Sequence, residues 1–472
     1  MGTISDKLMR IINTKEDIRQ ALISKGYDVP TSIPFKEYAK MISDLPCRVD
    51  SFPDIEGIVA RYSALGLTNE QMAANPVWVD KTGNGHDLQM KNFAWKEGSG
   101  ISDIYPGALV FDGVDDWAGC DNLPLLPKEK GYSIIALRNW ITRYDATQYK
   151  RPLISNLDTN DEGAFLIEYR KDENVNDVTG SYNSFTDVYI DDNNPITWQT
   201  SSSYNGQIIK KGTSKSTNKL CICKTYFGQL SNCANAAIWE LIILDHDATE
   251  EELTKIKDYF VKTYPWLFPD QAWTVTGKTN EDEDRATIAN ITGNSNDLVL
   301  SNFGFVEGSG YNEEGEYAGY LVTDGVDDKV VSAESIAFTD TWTIITDTVF
   351  LGKVSVASGI LASNIFTVYN YQGSGTIAVT MGEGGSSLRV ITSSIKAFSS
   401  DGTIYDAEWN EYHVEIGTIR ALERLLKIGT SSNETSYFCQ LAFKFLGIYN
   451  NQILSKEDCI KAYNYLQTLK AK

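Results

Sequence analysis

The chain has 472 residues, a formal net charge of −21 at pH 7, and 42% hydrophobic and 11% aromatic residues. That length suits two to four domains. The acidity argues against a nucleic-acid partner, which needs a basic footprint to displace counterions, and no apolar run is long enough to span a membrane.

Met1 to Asp6 carries no apolar stretch of the secretory type, so no export signal is expected. There are seven cysteines and three histidines, with no CxxC pair. An odd count without framework spacing argues against disulfides, and so few histidines argue against zinc. A reducing cytosol is the expected place of synthesis.

Taken in chain order, residues 1–50 predict three short amphipathic helices. Leu8 and Ile11 belong to the first. Thr14 caps the second, whose apolar face holds Ile18 and Leu22 and which Gly26 ends. Pro34 opens the third, with Phe35 and Tyr38 inward. Helices this small bury too little to stand alone. They are expected to serve as an attachment or oligomerisation segment, or to pack on the rest of the chain.

Beyond residue 50 the sequence repeats itself. Thr82–Gly100 (TGNGHDLQMKNFAWKEGSG) matches Thr292–Gly310 (TGNSNDLVLSNFGFVEGSG), an offset of 210 residues (292 − 82). LVFDGVDDWAG from Leu109 matches LVTDGVDDKVV from Leu321. At the far ends Thr249 pairs with Ser455 and Cys233 with Cys439, both 206 apart (455 − 249). A period this long is a domain duplication; solenoid units are only about 20–50 residues long. Two modules are expected, at 53–268 and 269–472.

Within each module, β-branched and aromatic runs such as ALVFD, YSIIAL and LCICKTYF lie between Gly, Asn, Asp and Ser. Many short strands without alternating long helices predict a mainly β chain built of sandwiches. Each module closes with a helix. Thr249 with Glu252, and Ser455 with Asp458, supply the capping residues. The paired cysteines are expected to be buried and inert. The linker Tyr264–Trp273 carries Pro265, Pro269 and several aromatics, which predicts docked modules in place of a loose tether.

The repeated Asp-Gly-Val-Asp-Asp raises the question of chemistry. Asp-Gly is a hairpin-turn dipeptide. Asp115 and Asp116 are adjacent, so on extended chain they point to opposite faces and cannot act together as an acid/base pair. A structural turn is one expectation. A calcium site on Asp112, Asp115 and Asp116 is another, since carboxylates and loop carbonyls suit that ion, although the EF-hand spacing is missing. No catalytic residue is assigned, and no cofactor beyond calcium is expected. His86, His246 and His413 stand apart from any nucleophile motif.

The pattern L-x-F-D-G-x-x-D, preceded by DKTGNGHDL, resembles the laminin-G-like and concanavalin A-like jelly-roll modules, and the resemblance covers most of the chain. The second copy departs from it, with Thr323 in place of Phe111 and Lys329 in place of Trp117. The segment NTKEDIRQALISKGYDVPTSIPFKEYAKMISDL resembles one near the start of phage tail-fibre and related virion proteins. The combination is similar to appendage proteins of phages of Bacteroides-type hosts, including the head fibres of crAss-like phages.

That resemblance implies a virion structural protein, a head or tail fibre, made in the host cytoplasm and carried on the virion surface. It would attach to capsid or other virion proteins through Leu8, Ile11, Ile18, Leu22, Phe35 and Tyr38, and assemble as a dimer or trimer. A glycan-binding adhesion module is the alternative, with Trp95 and Trp117 as possible contacts with host-surface sugar. A glycoside-active enzyme is a third possibility.

Overall fold

The computed structural model describes residues 52–126, 131–141, 150–158, 164–170, 183–186, 195–200, 203–204, 207–208, 216–227, 233–352, 358–363, 366–370, 377–382, 387–390, 392, 394–417, 423–430 and 438–471, together with Lys15 and Arg19. The chain divides into two compact units, Met1–Asp54 and Ile55–Lys472. Lys15 and Arg19 have helical backbone. The attachment residues Leu8, Ile11, Ile18, Leu22, Phe35 and Tyr38 lie outside the described residues.

The unit Ile55–Lys472 is mainly β. Its first half holds two sheets. One runs 207–208, 203–204, 196–200, 133–140, 235–244, 109–112, 100–101, with 58–63 also paired to 235–244; the other runs 183–186, 165–170, 150–155, 220–222, 117–120, 88–91, 77–78. Among the described residues, the strands of this half pair antiparallel except 183–186 with 165–170, and an isolated bridge between Leu157 and Tyr226 is also parallel. Alternate residues of both sheets meet in one core: Leu109, Phe111, Ile134 and Ile238 from the first, Leu88, Ala118, Ile154 and Leu220 from the second. That is the arrangement of a sandwich.

The second half repeats the plan around a separate core. One sheet runs 310–312, 320–322, 441–450, 342–350, 395–399, 403–406, 411–413, with 271–274 paired to 441–450. The other runs 287–288, 298–301, 329–332, 427–428, 358–362, 366–370, 377–381, 387–390. The ten-residue strands Asn235–Leu244 and Leu441–Asn450 occupy matching places. Both are almost wholly buried, because inward residues meet the core while outward ones are covered by other elements.

The closing helices form as their caps dictate. In Glu250–Thr263 the Thr249 hydroxyl accepts the Glu252 N–H and the Glu252 carboxylate accepts the Thr249 N–H. In Lys456–Thr468 the Ser455 hydroxyl accepts the Asp458 N–H. Ile256 and Phe260, and Cys459, Ala462, Leu466 and Leu469, are the buried stripes.

Between the sheet and the first of these helices sits a buried ion pair. The Arg61 guanidinium donates to Glu240 at 3.3 Å, and the hydroxyls of Tyr259 and Tyr264 donate to the same carboxylate at 3.0 and 2.8 Å. Burial pushes the Glu240 carboxyl above its ordinary range, and Arg61 and the Tyr264 hydroxyl work against that rise.

The two halves are docked. Tyr264, Trp266 and Leu267 of the linker are buried. The Tyr449 hydroxyl donates to the Trp266 carbonyl at 3.0 Å, and the Lys461 ammonium sits 4.5 Å from the Trp266 ring centre. The Asn464 amide donates to the Asp103 carbonyl of the first half at 3.2 Å. The helix that closes the second half therefore also rests on the first.

Candidate functional site

The twice-written turn proves to be a corner. Strand Leu109–Asp112 belongs to one sheet and strand Trp117–Cys120 to the other. The same holds for Tyr320–Val322 and Lys329–Ser332. The Asp-Gly dipeptide therefore does not close a hairpin, as its composition suggests; it passes the chain from sheet to sheet.

The carboxylates explain why. Asp112 Oδ1 accepts the N–H groups of Val114, Asp115 and Asp116 at 2.8, 3.2 and 3.3 Å, and Asp116 Oδ2 accepts the N–H of Asp112 at 3.1 Å. In the second copy Asp324 Oδ1 accepts from Val326, Asp327 and Asp328 at 2.8, 3.3 and 3.4 Å, and Asp328 Oδ2 from Asp324 at 2.9 Å. The first and last acids latch the turn on itself. Gly113 has φ +76°, and an added Cβ there would meet the Asn235 side chain at 2.7 Å, so the position needs glycine.

Asp115 is exposed and Asp116 buried, but the turn brings a carboxylate oxygen of each within 4.8 Å of the other, so they do not point to opposite faces as they would on extended chain. Asn92 donates its side-chain amide to the Asp115 carbonyl at 2.9 Å, and Asn302 does the same for Asp327 at the same distance. Both asparagines have φ +71°. Burial pushes the Asp116 and Asp328 carboxyls up to about 6, against the pull of the neighbouring Ser99 and Ser309 hydroxyls and of the backbone donors.

Asp112, Asp115 and Asp116, and likewise Asp324, Asp327 and Asp328, bring one oxygen each within 4.8 Å of one another. These are the residues that would hold a cation. Within each triad the central acid is the exposed one, and the first already carries three backbone donors on one oxygen.

The two tryptophans singled out by sequence have different ring partners. Trp95, with φ +52°, is half-exposed and stacks on Phe93 at 4.8 Å, which in turn meets the core residue Phe111. Trp117 meets Phe227 edge to face at 5.8 Å, and the Lys224 ammonium lies 4.3 Å from its ring centre. Where Phe111 fills the first core, Thr323 is buried and its hydroxyl bonds the carbonyl of Cys439 and the N–H of Leu441. His246 lies between Asp245 at 3.2 Å and Glu252 at 3.1 Å; burial lowers its pKa, but these two carboxylates more than offset that and raise it.

Sequence reasoning did not anticipate a cleft of about 830 Å³ between the two halves. Its first side is the outer surface of strand Ile196–Thr200 and of helix Glu250–Thr263, presenting Ile196, Trp198, Leu253 and Lys257. Its second side is the linker and the turns at 291–294 and 450–452, presenting Phe268, Asn294, Asn451 and Gln452. Asn294 falls in the repeated TGN stretch and Phe268 in the linker, yet neither repeat nor motif marks a cleft, because it exists only where unlike surfaces of the two copies meet.

No family model matches this chain, and no curated protein sequence matches it. Among solved structures, the Trypanosoma rangeli sialidase in complex with sialic acid aligns at 10% identity and a TM-score of 0.29, over 50% of this chain and 41% of the sialidase. The chain thus spans about two fifths of the length of that enzyme. The botulinum neurotoxin serotype D/C VPI 5993 binding domain aligns at 9% identity and 0.31, over 82% of this chain and 98% of that domain. A mutant of HCR/D aligns at 8% and 0.32, over 84% and 98%. At these TM-scores the likenesses carry no argument about this chain.

Proposed function

We propose that the protein is a structural component of a phage virion, a head or tail fibre. Residues 1–50 attach it to capsid or other virion proteins and bring two or three copies together. Two tandem jelly-roll modules, 53–268 and 269–472, then face outward from the virion surface. Its task in this reading is shape and display, with no chemistry of its own.

The observation that supports it best is the stiffened duplication. Two copies of one β-rich plan are joined by a buried aromatic linker and by a C-terminal helix that touches both. Such a body holds its outer surfaces at a fixed spacing, which a display protein requires. The test is to locate the tagged full chain and a variant lacking residues 1–50 on purified particles by electron microscopy. The full chain should decorate particles and the truncated one should not. Decoration by the truncated chain would defeat the anchoring role, and no decoration by either would defeat the virion reading.

A second reading, adhesion to host-surface glycan, is favoured by one observation, the aromatic and amide-lined cleft between the halves.

A further inference from the structure

We infer that the cleft between the two halves binds a neutral oligosaccharide, with both halves contributing to one site. The inference rests on the adhesion reading and gives it a place and a ligand class.

The size fits, since small-molecule sites run from about 300 to 1,000 Å³ and are mostly apolar with a few converging polar groups. The cleft holds about 830 Å³. Trp198 on one side and Phe268 on the other are both half-exposed. Flat rings of this kind present an apolar face at little entropic cost and can take the C–H face of a sugar ring.

The polar lining divides into spent and unspent groups. The Asn294 amide donates to the Asp270 carbonyl at 2.6 Å, and the Asn450 amide to the Ala337 carbonyl at 3.1 Å, so these hold the wall together. The side-chain amides of Asn451 and Gln452, which also line the cleft, make no hydrogen bond among the described residues. Each retains two N–H donors and a carbonyl acceptor. An amide pairs well with neighbouring hydroxyls, which both donate and accept.

Charge decides between sugar classes. Lys257 offers one ammonium, set against the carboxylates of Glu250 and Asp270, in a chain of net charge −21. The cleft therefore gives no net attraction for a uronic or sialic acid, and the surrounding field repels one. A neutral ligand incurs neither cost.

The test uses the full chain on an array of neutral oligosaccharides (gluco-, manno- and galacto-hexaoses) and acidic ones (sialyllactose, oligogalacturonate), followed by titration calorimetry of the hits. A neutral oligosaccharide should bind, and acidic ones should bind at least tenfold more weakly. Gln452→Ala should weaken binding about three- to tenfold, the loss of one hydrogen bond. Trp198→Ala should weaken it more than tenfold. Both variants are checked by thermal unfolding, and Gln452→Ala, which removes no internal bond, guards against a misfolded Trp198→Ala. Absence of binding to every saccharide overturns the inference and the adhesion reading together. Binding that prefers acidic sugars, or that Gln452→Ala and a folded Trp198→Ala leave unchanged, overturns the inference alone and leaves adhesion through another surface standing.

Discussion

The Trp239 indole of the first half meets the Tyr465 ring of the last helix edge to face, with centroids 6.2 Å apart and planes at 85°. Both side chains are buried. The Trp239 N–H is satisfied by the Pro106 carbonyl at 2.9 Å. This contact joins residues far apart in sequence and lies at the seam of the two halves.

Tyr465→Ala should therefore act on the seam as well as on its own helix. Removing a large buried ring costs about 3–5 kcal/mol. Chemical denaturation should show that loss, and limited proteolysis should show new cleavage in the linker 264–270. A loss of stability without linker cleavage would mean that Tyr465 only supports its own half.

Removing either latch should loosen a corner. Asp112→Ala strips an acceptor from three backbone N–H groups, and Asp324→Ala does the same in the second copy. Bonds to a charged acceptor contribute about 1.5–3 kcal/mol, so each variant should lose about 2 kcal/mol. The sites lie in different cores, so the double variant should add within about 0.5 kcal/mol. Denaturation midpoints check both claims.

Acidity should favour the latched corners. The Asp116 and Asp328 carboxyls are raised from their ordinary 3.8 to about 6, so the folded chain binds these protons more tightly than the unfolded chain. Their contribution is fully present below about pH 4 and is lost as pH rises through about 6. The double variant Asp116→Asn/Asp328→Asn should show a flatter dependence of melting temperature on pH between 4 and 7. An unchanged slope would show that these two groups do not titrate there.

Glu240→Ala leaves the Arg61 guanidinium buried without its carboxylate. Breaking a buried pair from one side costs about 3–5 kcal/mol, and Tyr259 and Tyr264 lose their acceptor as well. Denaturant unfolding should register a loss of that size. A loss under 1 kcal/mol would mean that water reaches Arg61 in the variant.

Thiol chemistry should be silent in the folded chain. Cys120, Cys221, Cys223, Cys233, Cys439 and Cys459 are buried without disulfides, and burial pushes Cys233 up to about 11 and Cys439 up to about 12. Thiolate is the reactive form. A thiol reagent at pH 8 should modify no more than one cysteine, Cys47, until denaturant is added.

The sequence by itself determined the duplication, the strand-rich character, the two helix caps and the buried thiols. All of these follow from local patterns or from comparing one stretch with another, and backbone geometry alone fixes them. Only the tertiary structure decided that the Asp-Gly turn joins two sheets, since residue spacing does not say which sheet a strand enters. It also decided that Glu240 lies against Arg61, 179 positions away, that the C-terminal helix serves both halves, and that a cleft opens between them. Those features depend on how two finished surfaces fit, and the free energy that selects the fit comes from burial across distances that no periodicity in the chain records.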